Sequence, residues 1–206
     1  MKYCYQSLIL FGIGLLSGVD ANAQKEVQLS VNYNVAMPMG ADFKEYVSKT
    51  SFRGLQASLL YAINEKIAVG AQFSYNDFYQ KYDRALYKTA DGSDISTVLS
   101  NTLQTIPLLA KGTYTFSNTG LFRPYVGLGA GVNLINYDQY FGEFKYSQQF
   151  AKPTFSADAG VLVPVSKDQR YGVRLSTAYN FTPFNKEGIA HLSTWNVQAG
   201  FFLPLR

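Results

Sequence analysis

"RPYVGLGAGVNLINY", residues 123–137, carries Gly127, Gly129 and Gly131 at alternate positions, with Val126, Leu128, Ala130, Val132 and Leu134 at the others. A dinucleotide loop needs Gly-x-Gly-x-x-Gly at the opening of a helix. Counted from Gly127, the third glycine would fall at position 132, which is Val132, and the alternation simply continues. A strict period of two is the repeat of a β-strand with one apolar face. The stretch therefore reads as a strand, with its three glycines on the non-apolar side.

The same period recurs along the chain. Eight runs show it: 26–37, 53–63, 67–79, 102–116, 123–137, 153–165, 170–181 and 193–205. Short turns follow the second, fourth and sixth runs, at 64–66, 117–120 and 166–169. Longer gaps follow the others, at 38–52, 80–101, 138–152 and 182–192. Short connections on one side and long ones on the other are the layout of an outer-membrane barrel with periplasmic turns and extracellular loops.

Parity sorts the residues by chemistry. One face reads Val27, Leu29, Val31, Tyr33; Leu55, Leu59; Val69, Phe73; Leu108, Tyr114; Val126, Leu128; Phe155, Val161; Leu175, Tyr179; Trp195, Val197, Phe201, without a charge. The other carries Ser30, Asn32, Asn34, Gln56, Ser58, Gln72, Asn76, Lys111, Asn133, Asp158, Arg174, Asn196 and Gln198. A soluble sandwich would show a charged outer face. A lipid-facing wall excludes charge, because an Arg or Lys at the bilayer midplane costs about 2–4 kcal/mol. Tyr61, Phe116 and Tyr171 near the turns, with Tyr75, Phe155, Tyr179 and Trp195 near the loops, make two aromatic girdles. Pro107 stands inside the fourth run and predicts a bulge or an end to regular pairing there.

The N-terminus fits export. Lys2 precedes the apolar run 8–16, and "ANA" at 21–23 is a small-residue cleavage pattern, so residues 1–23 read as a secretory signal peptide. Residues 24–206 form the predicted barrel domain. The leader holds Cys4, the chain's one cysteine, so the mature protein has no thiolate site. The net charge of +4 is dispersed, with no basic block to bind nucleic acid.

"TIPLLAKGTYTF" (105–116), "RPYVGLGAGV" (123–132), "ADAGVLVPVS" (157–166) and the last strand together carry a resemblance. The chain resembles the small eight-stranded outer-membrane barrels of the OmpA/OmpX-like superfamily, and within them the outer-membrane β-barrel domain family common in Bacteroidota. The resemblance implies a Gram-negative outer membrane, contact with its lipid and lipopolysaccharide, and handling by the barrel-assembly machinery. Gln198, Gly200, Leu203 and Leu205 match the C-terminal assembly signal, although the chain ends Leu205–Arg206 where the family usually ends on an aromatic residue.

Candidate chemistry is sparse. Lys111, Asp158 and Arg174 share the inward parity with Glu26, predicting a balanced ion-pair network in the lumen, with the glycines of 127–131 making room for charges from strands opposite. His191 and Ser193 have the spacing used by barrel lipid A deacylases, with Glu187 as the nearby acid. A nucleophilic serine needs a histidine base oriented by a carboxylate, and the loop setting of this pair favours a polar strand end instead. One histidine cannot build a His-based metal site, and no cofactor is expected. The sequence thus predicts an all-β, eight-stranded antiparallel up-and-down transmembrane barrel, monomeric and non-enzymatic. Its role would be structural or interactive, with segments 80–101 and 138–152 contacting a protein or host partner. A lipid-modifying enzyme and a narrow channel are the alternatives.

Overall fold

A computed structural model describes residues 27–88, 94–166, 170–186 and 188–205. The expected leader, Glu26 and Glu187 lie outside the described residues. Eight strands form: β1 Val27–Met39, β2 Ser51–Ala62, β3 Ile67–Lys88, β4 Asp94–Thr115, β5 Arg123–Phe141, β6 Phe144–Pro164, β7 Gly172–Lys186 and β8 Ile189–Leu205, with a short helix α1, Ala41–Tyr46, between β1 and β2. Each strand pairs antiparallel with the next. β8 closes the ring on β1, in unbroken register from Val27↔Leu205 to Met39↔Ser193. Along the membrane-spanning stretch no strand edge is left open, which is how a sheet satisfies its backbone inside lipid.

Parity runs as the sequence predicts. Val31, Tyr33, Leu55, Leu59, Phe73, Leu128, Phe155, Leu175, Trp195 and Phe201 are exposed on the outer wall, while Ser30, Asn32, Asn34, Gln56, Ser58, Asn76 and Asn196 are buried inside. A continuous apolar belt of this kind is untenable in water and natural in a bilayer. Tyr179 and Trp195 lie with ring centroids 6.4 Å apart in the girdle nearer the hairpins.

Two expectations need correction. The long gaps 80–101, 138–152 and 182–192 are mostly strand: β3 and β4 run to 22 residues each, β5 to 19 and β6 to 21. A membrane crossing needs about 9–11 residues per strand, so these four form a tall wall reaching well past the membrane. The runs were hard to follow there because both faces of a protruding hairpin are wet, which removes the apolar alternation. The gap 38–52 is not a free loop either, since it contains α1. Pro107 meets the second of its two expected outcomes: it makes no bulge, but the β3–β4 ladder is interrupted beside it, with no partners between Phe73↔Leu108 and Asn76↔Thr105. It pairs in register with Asn133, and the β3–β4 register is the same at Phe73↔Leu108 and Asn76↔Thr105, on either side of it. Register shifts fall instead at Asn34/Ala36, Tyr82/Ala85 and Pro183/Lys186, towards the hairpin end.

Candidate functional site

The lumen is filled in three tiers. Nearest the short turns is the charged one. Strand parity turns Lys111 (β4), Asp158 (β6) and Arg174 (β7) inward, and all three are buried. Lys111 Nζ lies 2.9 Å from Asp158 Oδ2, and Arg174 Nη2 lies 3.4 Å from the same oxygen. Lys111 also donates to Gln72 Oε1 at 2.7 Å. Arg174 donates through Nε to Tyr125 Oη at 2.7 Å and through Nη1 to Ser30 Oγ at 2.9 Å, with its guanidinium 4.7 Å from the Tyr125 ring centroid. The fourth member of the predicted two-to-two balance, Glu26, lies outside the described residues; among the described ones, one carboxylate stands between two cations.

The glycines of 127–131 fit this tier by two different close approaches. A Cβ on Gly127 would come within 2.5 Å of Asp158 Oδ1 and 3.1 Å of Lys111 Cε, so Gly127 does make room for the charges. Those charges come from β4 and β6, the neighbours of β5, and not from strands opposite. A Cβ on Gly131 would instead strike the Leu108 carbonyl oxygen at 2.0 Å. Its absence lets two backbones close up, a use of glycine in strongly coiled sheets.

The middle tier is uncharged. Asn34 Nδ2 donates to Asn76 Oδ1 and, at 3.1 Å, to Asn196 Oδ1; Asn76 Nδ2 reaches Thr105 Oγ1 at 3.3 Å. Asn32 donates to Gln56, and Thr182 to Thr154 at 2.8 Å. Amides and hydroxyls each offer donors and acceptors, so they can cross-link eight inward faces without charge.

The third tier, at the hairpin end, is apolar, and sequence reasoning missed it. Phe43, Tyr46 and Val47 from α1 and its C-terminal boundary pack with Ala36, Phe78, Leu103, Ile135, Tyr137, Phe184, Ile189 and Leu192. Phe43 meets Phe78 edge-on at 5.3 Å, and Tyr46 stacks on Tyr137 at 4.4 Å. The Tyr46 hydroxyl donates to the Asp138 carbonyl at 2.9 Å. Tyr82 Oη and Asn101 Nδ2 donate to the Tyr46 carbonyl at 3.0 and 2.9 Å. Burial, reinforced by Tyr137, pushes the Tyr46 phenol far above its ordinary value. The helix is thus a plug, tied from the short wall to the tall one. A signal did exist: Phe78, Leu103, Ile135, Tyr137 and Phe184 continue the inward parity of Asn76, Thr105, Asn133 and Thr182, but they are apolar. A lumen turning apolar at one end requires something apolar to enter it.

His191 and Ser193 sit on β8 at the hairpin end. The His191 ring lies 5.7 Å from the Phe181 ring. Ser193 Oγ is buried and has no hydrogen-bond partner, so the two side chains are not hydrogen-bonded as a nucleophile and base would be. Of the C-terminal signal residues, Gln198 is buried and accepts from Ser176 Oγ at 3.0 Å, while Leu203 and Leu205 face outward. A Cβ on Gly200 would meet the Val31 carbonyl oxygen at 2.1 Å, so this glycine allows tight closure of the β1–β8 seam. Among the described residues no group of His, Cys, Asp or Glu is arranged to hold a metal. The tall hairpins carry surface contacts of their own: Lys145 pairs with Asp138 at 3.3 Å, which holds its ammonium above the usual range.

Comparison with known proteins places this geometry. The family model described as the outer membrane protein beta-barrel domain matches residues 7–201. Among solved structures, Neisserial surface protein A is similar with a TM-score of 0.55 at 15% identity, over 89% of this chain and 98% of that one. Ail of Yersinia pestis, solved with the heparin analogue sucrose octasulfate, gives 0.47 at 14% identity, over 87% and 97% of the two chains. The N-terminal barrel of Pseudomonas aeruginosa OprF gives 0.46 at 13%, over 88% and 100%. No curated protein matches the sequence.

Proposed function

The chain belongs to the outer membrane protein beta-barrel domain family and is a protein of the Gram-negative outer membrane, and from that premise we propose that it works there as a surface-contact barrel. The observation carrying this reading is the contrast between the two parts of the molecule. The lumen is filled with the protein's own side chains from the charged tier to the plug. The tall hairpins β3–β4 and β5–β6 stand outside the membrane and expose Tyr79 and Phe144. Aromatic groups on a raised, ordered surface suit protein contact. A partner met there is a protein on a host or neighbouring cell. Lipid and lipopolysaccharide would surround the wall, and the assembly machinery would read the last strand.

The same contrast argues against the two alternatives. An eight-stranded barrel is only wide enough for its side chains, and here a helix also occupies its mouth. For an enzyme, the missing Ser193–His191 hydrogen bond removes the support that the spacing gave. The test is adhesion of cells displaying the full chain. Shortening either tall hairpin to membrane height should abolish binding while the barrel still assembles. Binding that survives both shortenings would overturn the reading. Lipid analysis of the same cells should show no change on His191→Ala or Ser193→Ala.

A further inference from the structure

Above the membrane the ring is incomplete. β6 pairs with β7 only from Phe155 to Pro164, and between Phe144 and Thr154 its described ladder runs to β5 alone. Beyond Phe181, β7 gives its pairing to β8 and its Phe184 to the apolar plug. Phe150 and Lys152 of β6 follow that ring from the lumen side, one edge-on at 5.0 Å and the other with its ammonium 6.0 Å from the centroid.

Which backbone groups face the gap follows from strand alternation. The Val165 N–H donates to the Tyr171 carbonyl at the β6–β7 turn, so odd-numbered residues of β6 point their N–H and C=O groups to the β7 side. The β5–β6 register is unbroken from Arg123↔Leu162 to Phe141↔Phe144, which carries that parity to the tip. Lys145, Ser147, Gln149 and Ala151 therefore turn their backbone groups to the open side, and all are exposed. Pro153 agrees, since it lacks an N–H on the side where no ladder needs one.

The other edge of the tall wall is protected. β3 also outruns its neighbour, because its pairing with β2 ends at Leu55↔Tyr75. There the Asp77 carbonyl accepts from Ser51 Oγ at 2.7 Å and the Glu45 carbonyl accepts from Tyr82 Oη at 2.7 Å, so the α1–β2 connection lies along the edge. A register shift at Tyr82/Ala85 and the charges of Lys81, Asp83 and Arg84 follow. Bulges and charges are how proteins blunt a sheet edge against pairing. Residues 146–151 of β6 carry neither. Charge also favours one occupant. The segment 144–154 holds Lys145 and Lys152 and no carboxylate. Lys145 pairs with Asp138 of β5, while Lys152 has no carboxylate partner among the described residues. A second copy of the chain would set these lysines against their own kind.

We propose that the β6 edge from Lys145 to Ala151 is a docking site, at which an extended segment of a partner protein adds as a further strand and brings a carboxylate to Lys152. Main-chain hydrogen bonds hold the added strand, and the side chains alternating along it give the selectivity. The proposal rests on the surface-contact reading and gives the partner its form.

Amide hydrogen exchange, read residue by residue by NMR on the full mature chain in nonionic detergent, tests the edge. In the free protein the amides of Ser147, Gln149 and Ala151 should exchange fast, and those of Gln148 and Phe150, bonded to β5, slowly. A short peptide of alternating threonine and valine with a central glutamate should slow the three fast amides about tenfold or more. The same peptide with lysine in place of glutamate should bind several-fold more weakly. Gln149→Pro removes an edge N–H without touching the β5 ladder; it should abolish the protection and leave thermal unfolding of the barrel unchanged. Uniform exchange along 147–151, a glutamate peptide without effect on these amides, equal binding of the two peptides, or full protection of the Gln149→Pro protein would each overturn the proposal. If the peptide fails while hairpin shortening abolishes cell adhesion, the edge site falls and the surface-contact reading stands. If the peptide protects while adhesion survives both shortenings, the edge site stands and the surface-contact reading falls.

Discussion

Asp158 is the residue on which the lower lumen depends. Lys111 and Arg174 both approach its Oδ2, and the described residues offer them no second carboxylate. Removing one partner of a buried pair leaves an uncompensated charge, at a cost of about 3–5 kcal/mol. Asp158→Asn should therefore lower stability in urea unfolding by that order. Lys111→Met should cost much less, since it leaves Arg174 and Asp158 as a one-to-one pair. The ranking is the check: if Lys111→Met proves as damaging as Asp158→Asn, the shared-carboxylate account is wrong. Gly127→Ala bears on the same site from the other side. Its Cβ would press on Asp158 Oδ1, and overpacking of this kind costs about 1–3 kcal/mol. The positions of these charges were legible in the sequence, because strand parity alone turns 111, 158 and 174 inward. Which of their atoms pair was not, because pairing across a closed ring depends on register.

Helix α1 is six residues long and too short to hold its shape alone. It persists because Phe43 and Tyr46 are buried in the barrel mouth. Phe43→Ala should release it, since truncating a buried phenylalanine costs about 3–5 kcal/mol. Hydrogen exchange would show this as lost protection at 43–47 with strand amides at the turn end unchanged; loss of protection throughout would mean that plug and barrel are one cooperative unit. Tyr46 adds a pH dependence. Its docked phenol has a raised pKa, caused first by burial. Below about pH 10, the ordinary tyrosine value, the phenol is neutral both docked and released, and its contribution is fully present. As pH rises past that value the released form ionises and the docked form does not, so docking weakens. Near-ultraviolet circular dichroism should report an alkaline loss of packing that Tyr46→Phe abolishes. This element could not be read from the local sequence. "ADFKEY" at 41–46 has no sustained helical period, and what holds it is a set of inward apolar positions spread over β3, β4, β5, β7 and β8.

For the molecule as a whole, the eight strands, their parity and the placement of the short turns were all readable, because lipid imposes one rule on every crossing. Above the membrane that rule lapses. "YQKYDRALYK" at 79–88 stays paired to β4 apart from the register shift at Tyr82/Ala85, yet its composition resembles a loop. What unites the tiers is closure: a charged layer, an amide layer and an apolar plug lie in series across one narrow lumen. Single-channel recording of the mature protein in planar bilayers tests that closure most directly. A filled barrel predicts a silent membrane at all moderate voltages, with no steady open state. A stable conductance that grows with salt concentration and changes when Lys111 or Arg174 is neutralised would contradict it.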